Sequence, residues 1–250
     1  MKKHLKWVSL VCSALVLSAA DLCAQTLPKV SVQVGEAAEP GDLSVTLQII
    51  ILMTVLALAP SILIMVTSFV RIVVVLSFLR HAMGIHQMPP NQLLVALALI
   101  LTFFLMSPVV NRSYTEGIKP YLDKEITGQE AFDKATEPIK TFMLSQTREK
   151  DLALFVNIAG MDRPEDKDDI PLHVLVPGYV ISELRTAFQI AFVLFIPFLV
   201  IDMVVASVLM SMGMMMLPPI IVSLPFKILL FVLVDGWYLL VKSLVESFHM

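Results

Sequence analysis

Charge is scarce in this chain of 250 residues: Asp, Glu, Lys and Arg make up 16% of it, where an average globular chain carries about 25%. Residues 43–70 carry no charge at all. Cysteine is nearly missing, with only Cys12 and Cys23 near the amino terminus, so the body of the chain has no disulfide framework and no thiolate metal site. No basic stretch with interleaved aromatics is present and the net charge is −3, which excludes a nucleic-acid binder. Catalytic signatures are absent as well: there is no Gly-rich phosphate loop ending in Lys-Ser/Thr, no His-Glu-x-x-His, no Gly-x-Ser-x-Gly and no calcium loop. His81 and His86 stand five apart, the wrong spacing to share a helix face as metal ligands. No cofactor is expected, and the chain does not read as an enzyme.

What is abundant is apolar side chain, at 57% hydrophobic residues and a mean hydropathy of +0.83. This excludes a disordered chain and a coiled coil. The charges that exist are segregated, with 9 of the 18 basic and 14 of the 21 acidic residues between 111 and 184. The pattern is that of an integral membrane protein with one polar insert.

The start, with Lys2, Lys3, His4 and Lys6 before an uncharged stretch at 7–20, has the basic lead and short apolar run of a secretory signal. It is shorter than the roughly 20 residues of a membrane span, so 1–24 reads as a cleavable leader cut after Ala20 or Ala24, with an uncleaved anchor as the alternative. A polar segment, 25–42, follows. A helical pattern then runs from 43 to about 84, before Pro89-Pro90. At 1.5 Å per residue it would reach roughly 60 Å, twice a hydrocarbon core. Either Pro60 divides it, or part of it stands clear of lipid against other protein.

With a second apolar run at 93–110, residues 43–111 form a first helical hairpin. The insert, 112–184, contains an amphipathic helix or helix pair at 139–158 and an exposed acidic loop at 160–171. Residues 185–250 form a second hairpin in which Pro197, Pro218, Pro219 and Pro225 are expected breaks. The fold class is all-α: integral-membrane-type hairpins around a polar, mainly helical insert. Arg71 and Arg80, with no acid between 71 and 91, vote for a cytoplasmic loop there, which puts the insert in the periplasm.

Three stretches carry the candidate chemistry. Asp202 lies in IPFLVIDMVVAS, where a carboxylate costs several kcal/mol unless paired or protonated, and Lys227 in SLPFKILL is the nearest lone cation. The readings are a buried ion pair, a proton-relay carboxylate, or a polar group at a water-filled cavity. Six of the 15 methionines fall at 203–216, and MGMMMLPP places Met212, Met214, Met215 and Met216 at the tip of a hairpin. Thioethers are flexible and polarisable, so the cluster reads as a contact or sealing surface. PGYVISELRTAFQIAFVLFIPF, from Pro177, begins with turn chemistry and becomes an apolar helix with Glu183 and Arg185 in its first turns, which are candidate subunit contacts together with Phe142 and Phe155.

The combination of SFVRIVVV (68–75), PPNQLLVALALILTFFLMSPV (89–109), FMLSQTREKDL (142–152), PGYVISELRTAFQIAF (177–192), SVLMSMGMMMLPP (207–219) and LPFKILLFVLVDGW (224–237) resembles the FliP family of flagellar type III export-gate proteins. The likeness covers roughly 43–248. Gly178 and Ala191 depart from it, where the family usually has Ala and Gly. The resemblance implies a pore of five copies assembled with FliQ and FliR, with FlhA and FlhB as further partners, passing unfolded flagellar proteins through the inner-membrane part of the basal body. It also implies a seal formed by Met212, Met214, Met215 and Met216. Competing readings are a secondary transporter or ion channel coupled through Asp202, though no inverted repeat relates the hairpins, and an enzyme in the insert, which has no clustered acid, base and nucleophile.

Overall fold

The computed structural model describes residues 40–85, 88–161, 169–214 and 217–248. The expected leader, most of the polar segment after it, both cysteines, Met215 and Met216 lie outside these residues. Every element among the described residues is helical: α1 (Pro40–Val66), α2 (Phe69–Ala82), α3 (Asn91–Ser113) continued by a π-helical turn (Tyr114–Ile118), α4 (Lys119–Leu122), α5 (Gly128–Gln146), α6 (Glu149–Ile158), α7 (Leu172–Ser211), α8 (Pro219–Leu233) and α9 (Gly236–Glu246). The chain divides into two compact units, 1–53 and 54–250. The described part of the first is the opening half of α1. The second holds everything discussed below.

Within the second unit α2 is the hub. Its Ile72, Val75, Leu76 and Leu79 are all buried, as are Leu175, Tyr179 and Ala187 of α7 and Leu94, Ala98 and Leu105 of α3. Each full-sized aliphatic so buried contributes about 1.5–3 kcal/mol. Small residues set the approach of the helices. A Cβ added at Gly178 would lie 3.5 Å from Leu152 Cα, ordinary van der Waals contact, so an alanine would fit there.

The helix breaks differ from those expected. Pro60 sits inside α1, and the long pattern is interrupted instead at Thr67-Ser68. There Tyr179 of α7 donates its phenolic hydrogen to the Thr67 carbonyl at 2.9 Å, which satisfies an acceptor freed by the break. Pro177-Gly178 is not a turn: α7 runs through it and through Pro197 for 40 residues, roughly 60 Å of helix. Pro225 likewise lies within α8. The bend in the last apolar stretch occurs at Asp235, in the left-handed region at φ 51, where α8 and α9 meet at 65°. The 139–158 stretch resolves into two helices, α5 and α6, separated at Thr147-Arg148.

Leu47–Val66, Asn91–Leu122 and Leu172–Ser211 are long and apolar enough to cross a membrane, and the bent pair α8–α9 is a fourth candidate by length and composition. The insert carries soluble-protein signals in contrast. Thr127 and Glu130 form a reciprocal capping box at the start of α5. The Thr127 backbone N–H, donating to the Glu130 carboxylate, holds that acid below its ordinary range.

Candidate functional site

Two buried polar clusters stand out against the apolar helices, one at each end of α2. At the carboxyl end, α7 supplies Asp202, and α8 supplies Ser223 and Lys227 one turn apart. Ser223 donates to Asp202 Oδ1 at 2.5 Å. Lys227 Nζ donates to Asp202 Oδ2 at 2.6 Å and to the Ala82 carbonyl, the last of α2, at 3.1 Å. Lys227 is only 2% exposed. The structure therefore places Asp202 and Lys227 together within one chain. Both carboxylate oxygens carry a donor, an arrangement that stabilises a charged pair.

The same two helices converge on the methionine hairpin. Gly213, at φ +75, takes a left-handed conformation that turns the chain after α7. Met212 is 65% exposed and Met214 37%, so two thioethers project from the tip with no core of their own.

At the amino end of α2, Arg71 is the centre of a cluster drawn from α2, α5, α7 and the segment after α9. Its Nε donates to Glu183 Oε2 at 2.8 Å and its Nη2 to Glu183 Oε1. Nη2 also reaches Gln146 Oε1 at 3.2 Å, and Nη1 donates to the Ser247 carbonyl at 2.8 Å and hydroxyl at 3.1 Å. The Phe248 ring covers the guanidinium, 3.9 Å from centroid to Cζ.

These placements correct part of the sequence reading. Glu183 is fully buried against Arg71, and Phe142 is buried between Phe248 and Tyr179, so neither side chain is free for a contact between subunits. Phe155 is half-buried beneath α7. Arg185 does lie on the surface, on a face of α7 shared with Ile181, Phe188 and Phe192. Arg71, which entered the topology argument as a loop charge, is 2% exposed within a helix and paired with an acid. Its cluster escaped the sequence reading although the signal existed, since a lone cation in SFVRIVVV needs a partner for the same reason that Asp202 does. Among the described residues no group of three or more His, Cys, Asp and Glu could hold a metal ion.

The FliP family profile matches residues 52–244, which include the Asp202–Lys227 cluster, the methionine hairpin and most of the Arg71 cluster. The chain belongs to the FliP family. It is 58% identical over 217 residues to the flagellar biosynthetic protein FliP of Bacillus subtilis, covering 87% of this chain and 98% of that one. Against the FliP of Caulobacter vibrioides identity is 60% over 202 residues, with 81% of this chain and 76% of the relative covered. The FliP of Aquifex aeolicus matches at 48% over 237 residues, 94% of this chain and 97% of its own length. Arg71, Glu183, Asp202 and Lys227 all fall within the FliP match, whereas Ser247 and Phe248, which complete the Arg71 cluster, lie just beyond it.

Proposed function

We propose that this chain is a non-catalytic, pore-forming subunit of the flagellar type III protein export gate, in which the methionine hairpin closes the pore to ions. Five copies assemble with FliQ and FliR, contact FlhA and FlhB, and pass unfolded flagellar proteins. The assembly belongs to the inner membrane and basal body, with the insert on the periplasmic side. Membership of the FliP family supports the role in flagellar biosynthesis. The single observation that carries the gate reading is the hairpin itself: exposed thioethers at a tip whose two arms are clamped by a buried ion pair. A passage for many different unfolded sequences cannot rely on a rigid fitted constriction, whereas thioethers change rotamer readily and exclude water.

The test is conductance across membranes holding the assembled complex. Gly at Met212, Met214, Met215 and Met216 together raises ion leakage, while Leu at the same positions seals and slows export. Unchanged conductance in the Gly variant, with assembly verified, makes the hairpin a packing element and places the seal elsewhere.

A further inference from the structure

We propose that Lys227 is a positioning residue for the gate: its ammonium group ties the α7–α8 hairpin to the carboxyl end of α2 and thereby sets where Met212 and Met214 are held. The proposal rests on the hairpin being the seal. Asp202 and Lys227 join α7 to α8, the two arms of one hairpin, so their pairing closes the hairpin without locating it. The bond that locates it is the second one, from Lys227 Nζ to the Ala82 carbonyl 145 residues away.

That carbonyl is a strong partner for a cation. The last carbonyls of a helix have no intrahelical donor and carry the negative end of the helix dipole. Met83 N–H returns to Leu79 O at 3.0 Å and Gly84 N–H to His81 O at 3.0 Å, which ends α2 in a tight turn while Ala82 O accepts from Lys227. Gly84, left-handed at φ +76, completes the turn, and a Cβ built on it would sit 3.6 Å from Ile220 and 3.9 Å from Lys227 Nζ. The end of α2 is also fixed on its other side, because Arg80 donates to the Pro89 carbonyl at 3.4 Å and to the Asn91 side chain. A rigid helix end and an ammonium group with a single acidic partner together make a tie between the hairpin and α2.

The experiment separates the tie from the ion pair. In the full complex, Asp202→Asn leaves Lys227 bonded to Ala82, whereas Asp202→Asn with Lys227→Met removes both charges and the tie without leaving a lone buried ion. Amide hydrogen exchange and ion conductance are read on both. The double variant should assemble, leak, and exchange about tenfold faster at 81–85 and 212–214, the effect of one lost charge-assisted hydrogen bond. The single variant, which strands Lys227 without its counter-ion, should lose global stability as any unpaired buried charge does, yet keep 81–85 and 212–214 protected relative to the rest of the chain because the Ala82 bond remains. Unchanged exchange in the double variant, or equal loosening in Asp202→Asn alone, overturns the proposal.

Gly84→Ala provides a second route, since it strains the end of α2 with every charge retained. It should loosen 212–214 together with 81–85, and loosening confined to α2 would refute the tie. A complex carrying Met212→Gly and Met214→Gly, measured in parallel, tests the seal separately. If that complex does not leak, the seal reading fails while the exchange data still judge Lys227.

Discussion

Arg71 uses all five of its N–H groups inside the protein, two on Glu183, two on Ser247 and one on Gln146. Removing one partner of such a buried pair costs about 3–5 kcal/mol, because the charge left behind is uncompensated. Arg71→Met and Glu183→Ala are each expected to lose that much stability, read as a lowered unfolding midpoint of the purified chain in detergent. Arg71→Lys should fare little better, since an ammonium group cannot reproduce the planar fork that spans Glu183 and Ser247. At the opposite end of α2 the geometry makes a less obvious forecast. Exchanging the charges, Asp202→Lys with Lys227→Asp, restores opposite signs but turns a carboxylate toward the Ala82 carbonyl and the negative end of α2. The exchanged variant should therefore assemble no better than Lys227→Ala alone, as scored by recovery of the native complex after detergent extraction. Pairing of Asp202 with the nearest lone cation was legible in the sequence, because an unpaired charge in apolar surroundings demands a partner. The Ala82 bond was not, since a backbone carbonyl leaves no mark in the residue pattern.

Among the elements, α7 shows that prolines mark local cost without deciding where a helix ends. Pro177 and Pro197 each remove one backbone donor, yet α7 continues through both. The break between α1 and α2 occurs where Tyr179 accepts the burden of a freed carbonyl, at Thr67, and not at Pro60. The π-helical turn after α3 contains a close helix crossing. Gly117 faces α5 so closely that an added Cβ would lie 2.6 Å from the Ala135 backbone nitrogen, far inside contact distance. Gly117→Ala must push α5 away and should destabilise the insert by about 1–3 kcal/mol. Gly128→Ala, whose Cβ would meet Tyr121 at an ordinary 3.7 Å, is the matched control and should be near neutral. Thermal unfolding of the two variants side by side checks the difference. Within the insert the apolar residues announced a helix or helix pair only over 139–158, and no feature of Gly117 in the sequence distinguished a close crossing from a simple breaker.

For the molecule as a whole, the outer surface is the unresolved demand on its surroundings: Phe103 and Phe104 of α3, Leu63 of α1 and Leu233 of α8 are all largely exposed, which calls for lipid or partner subunits. With Arg71 internal, the cytoplasmic assignment of the 83–90 turn rests on Arg80, and labelling decides it. A cysteine at exposed Gln129 should react with an impermeant maleimide in spheroplasts and one at exposed Met88 should not; the reverse pattern would invert the topology. Composition, charge segregation and apolar spacing by themselves determined an all-α chain with membrane-length helices, a polar insert and a methionine-bearing hairpin, because each is a property of consecutive residues. Only the tertiary structure decided where the helices stop and which charges meet. Arg71 and Glu183 lie 112 positions apart, and their contact depends on α7 returning along α2. Such a return is set by the packing of whole helical faces, a free energy distributed over many side chains that no single motif encodes.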